Sequence, residues 1–104
     1  AAPRRTLADV CAATGRLLRW GGQFYLVFRT ERLAELLETL RRSGLEPKRL
    51  RLVQHDAASA PSLLLLESRR GGRPGLAVEP TLLLRDADGR ETDETRRIYF
   101  RDKE

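Results

Sequence analysis

Apolar and small positions along the chain change period several times, and each change marks an element. Leu7, Val10, Cys11, Thr14, Leu17 and Leu18 fall at helical spacing. Thr6 opens this stretch, with Asp9 three places on as an acidic variant of the capping box. Gly15 weakens the helix and Gly21-Gly22 end the stretch, so the helix is expected over 6–19. Gln23 to Phe28 is then a short run rich in aromatic and β-branched residues. It is apolar on both faces, so it reads as a central strand of the parallel type. Leu33, Leu36, Leu37 and Leu40 return to an i, i+3, i+4, i+7 stripe. Thr30 suits its cap, Glu31 its positive end, and Gly44 and Pro47 its stop, which predicts a helix over 31–43.

Two strands are expected next, over Leu50–His55 and Ser62–Ser68, joined by the small and polar residues 56–61 as an antiparallel hairpin. Residues 69–75 form a basic glycine-rich loop. Short strands over 76–79 and 81–85 are divided by Pro80, Asp88-Gly89 marks a turn, and 92–99 reads as a short helix. The tail 101–104 is charged and expected to fray. The order is helix, strand, helix, hairpin and a small appendage, an α/β pattern without internal repeat. It begins with a helix that ought to follow a strand, which implies a natively longer chain.

Length and composition narrow the picture. The 104 residues suit one small domain, and 40% hydrophobic with 34% charged residues suits a folded one. The longest apolar run, Leu63 to Leu66, is far below the ~20 residues of a membrane helix. No apolar segment follows Arg4 and Arg5, so neither a secretory signal nor membrane association is expected. The single cysteine excludes an internal disulfide and a Cys-based zinc cluster and fits a reducing cytoplasm, the expected compartment. Cys11 lies on the apolar side of its helix and reads as a buried thiol. A net charge of +5 is compatible with nucleic acid, although 15 acidic residues are interleaved with the basic ones.

Candidate site residues follow from these placements. Arg29 stands just past the C-terminal end of the expected central strand, the edge where open α/β sheets bind ligands. It is a contact for substrate phosphate or an exposed helix-start ion pair. Arg69, Arg70 and Arg73 are the densest basic cluster and sit in a flexible loop. They bind an RNA backbone or form a solvated surface. Trp20, Phe24, Tyr25 and Phe28 offer a stacking platform, but their context favours packing. His55 has no partner for a metal, and Asp86, Asp88, Asp93 and Glu94 lack calcium-loop spacing.

Longer blocks carry a resemblance. Leu17-Leu18-Arg19-Trp20-Gly21-Gly22-Gln23-Phe24-Tyr25-Leu26-Val27 resembles the entry to a late strand of class I S-adenosylmethionine-dependent methyltransferases. Phe28-Arg29-Thr30-Glu31-Arg32-Leu33-Ala34-Glu35 resembles a segment of the bacterial tRNA(Val) adenine-N6 methyltransferase family. The blocks at 44–53, at 65–76 and from Asp88-Gly89 to Ile98-Tyr99 resemble its following segments in the same order. The resemblance covers roughly residues 6–99 and implies the C-terminal half of a Rossmann-like methyltransferase sheet. By that reading 1–104 is a single partial domain, with 6–68 the methyltransferase half and 69–104 the basic loop and appendage. The family's glycine-rich cofactor loop, ribose-binding acid and Asn/Asp-Pro-Pro-aromatic tetrapeptide have no counterpart here. No catalytic or cofactor-binding residue is therefore carried over. S-adenosylmethionine is implied for the full-length protein and not for this chain alone, which would be inactive. The implied partners are tRNA and the missing N-terminal half, or a second copy paired through the open sheet edge. A stand-alone basic RNA-binding or oligomerising module is the rival expectation.

Overall fold

A computed structural model describes residues 6–100 of the chain. Helix α1 spans Leu7–Leu17. Its start is the expected capping box: Thr6 Oγ1 accepts from the Asp9 N–H at 3.1 Å, and Asp9 Oδ2 accepts from the Thr6 N–H at 3.1 Å. It ends earlier than its apolar pattern, because Leu18 turns extended while its N–H still bonds to Thr14 O. Strand β1 follows over Gln23–Arg29. A 3-10 turn at Thr30–Arg32 then leads into helix α2, Leu33–Arg42. Thr30 does not cap that helix. Its N–H donates to Ser62 O at 3.2 Å and its hydroxyl to Pro61 O at 2.8 Å, which ties the end of β1 to the segment before the next strand.

Strands β2 (Leu45–Gln54) and β3 (Leu63–Arg70) form the expected antiparallel pair. β2 starts well before the expected Leu50. Pro47 reads as a stop, yet the strand runs through it because the register slips between Pro47 and Arg49. A bulge tolerates the missing proline N–H that a regular ladder would not. Strands β4 (Ala77–Val78) and β5 (Leu82–Leu83) both pair with β2, in parallel. Helix α3 covers Asp93–Phe100. Its start is anchored to β5, with the Thr95 N–H donating to Thr92 Oγ1 at 3.3 Å and the Thr92 hydroxyl to Leu83 O at 2.6 Å.

The sheet order is β1-β3-β2-β4, with β5 also on β2. This corrects the reading of Gln23–Phe28 as a central parallel strand. Among the described residues β1 pairs only with β3, antiparallel, and forms the sheet edge. Its apolar character on both faces is real, but only one face is covered. Phe24, Leu26 and Phe28 pack towards the core, while Tyr25 and Val27 are 63% and 62% exposed.

The core lies between that covered face and the two long helices. Cys11, Leu36, Leu40, Leu45 and Leu64 are fully buried and form one cluster with Leu50 and Leu66. Each such leucine contributes about 1.5–3 kcal/mol by leaving water. The helices approach closely because Gly15 has no side chain: a Cβ there would lie well inside 3.0 Å of Ser43 O.

Candidate functional site

The candidate residues separate to opposite ends of the sheet. Arg29 ends β1, and its guanidinium pairs with Glu31 at 3.6 Å with both side chains more than two-thirds exposed. Such a pair contributes little in water. A shallow cleft beside it is lined by Thr30, Glu31, Pro61, Ser62 and Leu63. Arg69, Arg70 and Arg73 lie at the other end of a seven-residue strand, about 20 Å away. Arg29 therefore does not act with the other three on one small ligand.

The glycine-rich end gathers many cations. Arg16 and Arg19 come from the end of α1, Arg41 and Arg42 from the end of α2, Lys48 from β2, and Arg69, Arg70 and Arg73 from β3 and its turn. Hydrogen bonds join these segments. The Gly21 N–H donates to Arg70 O at 3.0 Å, the Arg70 N–H to Gly22 O at 2.9 Å, and the Gly71 N–H to Gly44 O at 3.0 Å. Arg70 is itself a fastener, since its Nη1 donates to Leu18 O at the end of α1. Lys48 Nζ donates to Arg73 O at 2.6 Å and holds the turn in place. Two carboxylates of this end are engaged: Glu38 pairs with Arg42, and Glu46 with Arg41 at 3.1 Å. Among the described residues no carboxylate pairs with the side chains of Arg16, Arg19, Arg69 or Arg73.

Trp20 belongs to this end, and packing does not bury it. It is 76% exposed. Gly21, at φ +83, turns the chain so that the indole leaves the core and lies over the Gly71 turn. The groove around it is lined by Ala8, Ala12, Gly15, Arg16, Arg42 and Arg70, with a volume of about 590 Å³. The Gly21-Gly22 pair is the sequence signal for this placement.

The sheet face away from α1 and α2 is the third feature. Tyr25, Glu67 and Arg49 stand in one row across β1, β3 and β2, and Val27, Leu65 and Arg51 in the next. Glu67 is only 7% exposed, with Arg49 at 3.5 Å, and Arg49 also bonds Glu79 at 3.2 and 3.0 Å. These contacts raise the Arg49 pKa, with the Glu79 hydrogen bond as the largest cause. The Tyr25 phenol is also held above its ordinary value, first by desolvation and then by Glu67. Val27, Leu63 and Leu65 remain exposed beside this ionic row.

Other sequence candidates find plainer roles. Cys11 is buried, and that burial raises its thiol pKa. Asp86 closes a turn, accepting from the N–H groups of Asp88 and Arg90 at 2.9 and 3.0 Å. Glu94 pairs with Arg51. Among the described residues no three metal-binding side chains converge, and no helix is long and apolar enough to cross a membrane. Gly71-Gly72 does not form a cofactor cradle. No helix starts after it, and the space a Cβ would take at Gly71 is filled by Trp20. That turn therefore does not offer the glycine-rich opening of a helix by which such folds admit a cofactor.

Neither family models nor curated proteins give a match to the chain. Its fold does find a counterpart. The crystal structure of a predicted O-methyltransferase, protein Atu636 from Agrobacterium tumefaciens, aligns over 92% of this chain with a TM-score of 0.82 at 18% sequence identity. The chain spans 46% of the length of that structure. The fold is thus methyltransferase-like, and the chain corresponds to about half of it.

Proposed function

We propose that this chain is the second half of an S-adenosylmethionine-dependent methyltransferase acting at N6 of an adenine in tRNA. In that role it completes the sheet and helps to hold the RNA. The observation that carries the reading is the alignment of 92% of the chain onto less than half of a methyltransferase-like structure. The sequence blocks from Leu17 to Tyr99 supply the tRNA part, and the cationic end supports it. The unpaired edge of β1 and the bare face around Tyr25, Val27 and Leu65 suit a covering half that brings the cofactor. This half contributes scaffold and positive charge, and no catalytic group is assigned to it.

A second reading is a basic RNA-binding or oligomerising module without catalysis. The specific observation in its favour is the same open edge, which offers a second copy seven residues of unpaired backbone.

One experiment separates these readings. The full-length protein from its own cell is weighed intact, then incubated with unmodified tRNA and methyl-labelled S-adenosylmethionine, and the RNA is digested to nucleosides. The reading expects label in N6-methyladenosine. Transfer to small hydroxyl compounds offered in a parallel reaction, with none to tRNA, overturns the tRNA part. No transfer by a protein of native mass 11.8 kDa overturns the enzyme reading and leaves the module.

A further inference from the structure

We propose that the groove between α1, the end of α2 and the Gly71 turn binds single-stranded RNA, with one base stacked on Trp20 and neighbouring phosphates on Arg16, Arg70 and Arg73. The proposal rests on the RNA part of the function above and gives that part a location.

Trp20 is held in place while remaining 76% exposed. On one side its ring lies over Gly71, where a Cβ would come within 2.7 Å of Cη2 and closer still to two other ring carbons. Gly71 also has φ +69, so this position favours glycine for both its backbone and the space above it. The turn beneath is fixed by its bonds to Gly44 and through Lys48. A large aromatic ring is therefore pre-set in water on a rigid support, an arrangement that core packing does not require.

The surroundings match a nucleotide strand. The lining residues Ala8, Ala12, Gly15, Gly44 and Gly71 are small and leave room for a flat ring. Arg16, Arg42 and Arg70 line the same groove, and none of its lining residues is acidic. Arg16, Arg19, Lys48, Arg70 and Arg73 are five cations at this end without a carboxylate partner among the described residues, while Arg69 faces the other side of the sheet. Guanidiniums around an exposed aromatic ring recognise alternating phosphate and base. Stacking holds the base without regard to its identity, and the cations track the backbone. An acidic peptide would satisfy the charges but leave the ring unused.

The test uses the full-length protein and a labelled ten-nucleotide RNA containing 5-iodouridine. Binding is measured by anisotropy at several salt concentrations, and photo-cross-links are mapped by mass spectrometry. Trp20→Ala is expected to weaken binding about tenfold, while Trp20→Phe recovers most of the loss. The pair Arg16→Gln and Arg73→Gln should lower the salt slope by about 1.4, at ~0.7 for each phosphate contact. The cross-link should fall on Trp20. Unchanged melting of Trp20→Ala keeps a folding defect out of the result. Unaltered affinity in Trp20→Ala with cross-links elsewhere overturns the groove alone. Failure to bind either the oligonucleotide or tRNA at low salt overturns the RNA part of the proposed function as well. Trp20-dependent binding to vesicles of anionic lipid without binding to RNA overturns the proposal in favour of a membrane surface.

Discussion

Replacing Gly15 by alanine tests the helix crossing through the sign of a stability change. By helix propensity alone, Gly15→Ala gains about 1 kcal/mol, because glycine is the costlier residue inside α1. The structure reverses that expectation. The new methyl would lie well inside 3.0 Å of Ser43 O and at 3.4 Å from Ser43 C. The obstacle is backbone, so no rotamer change relieves it. Ser43 is itself held, its N–H bonded to Leu40 O at 3.0 Å and Thr39 O at 3.2 Å, and the next residue, Gly44, accepts from the Gly71 N–H.

The helices must therefore move apart, and the fully buried Cys11, Leu36 and Leu40 beneath them lose contact. Overpacking of this kind costs about 1–3 kcal/mol, and the fixed carbonyl puts it in the upper part of that range. The net change is a loss of about 1–2 kcal/mol. Urea unfolding read by circular dichroism measures it, as a midpoint lower by about 0.5–1 M for an m-value near 2 kcal/mol/M. A variant with a raised midpoint would refute the close crossing and leave helix propensity in charge.

Three further outcomes follow from burial and charge. Leu64→Ala should cost about 2–5 kcal/mol, because the side chain is fully buried. Leu65→Ala on the bare face should cost clearly less in this chain; comparable midpoints for the two variants would contradict the assignment of faces. Cys11 should resist a thiol reagent at pH 8 until the protein unfolds, since burial both shields it and raises its pKa; prompt native labelling would refute this. The Arg51 hydrogen bond holds the Glu94 carboxyl below its ordinary 4.5, so its stabilisation is complete above that pH and is lost as pH falls through the lower folded value. Acid titration followed by amide exchange in α3 should show loosening below pH 4.5, a step absent in Glu94→Gln.

Some of this was legible in the chain and some was not. The α2 stripe was legible because its apolar positions face one way, and Leu36 and Leu40 are indeed buried. The Thr6–Asp9 cap was legible because capping depends on a few adjacent residues. β2 was only half legible. Pro47 punctuates a sequence locally, whereas the bulge that accommodates it depends on the partner strand. The edge position of β1 was illegible for a related reason. An apolar run records that both faces suit burial and does not record what covers them. Trp20 misleads in the opposite direction: an aromatic residue between an expected helix and an expected strand suggests packing, but the backbone at Gly21 and Gly22 turns it away from the core.

The arginines expected in a loop over 69–75 needed three-dimensional information most, and two of them, Arg69 and Arg70, lie instead in β3, paired with β2. Sequence places Arg69, Arg70 and Arg73 in one cluster and treats them alike. The fold gives them different work. Arg70 fastens α1 to β3 through Leu18 O, so its replacement would damage structure before it affected any ligand. Arg73 offers its carbonyl to Lys48 and keeps its guanidinium outside the ion pairs of the described residues. Arg69 belongs to the sheet face away from the helices, in register with Gln23 and Glu46. Loss of RNA affinity in Arg70→Ala would therefore say little about contact with RNA, whereas loss in Arg73→Gln would bear on it directly. The same distinction fixes the geometry of the proposed enzyme. Ligands of open α/β sheets bind beyond the C-terminal strand ends, which is the Arg29 end of β1. The Trp20 groove lies about 20 Å from it. An RNA that reaches both must span the sheet, so the groove would hold a part of the substrate remote from the methylated base and act on affinity more than on turnover.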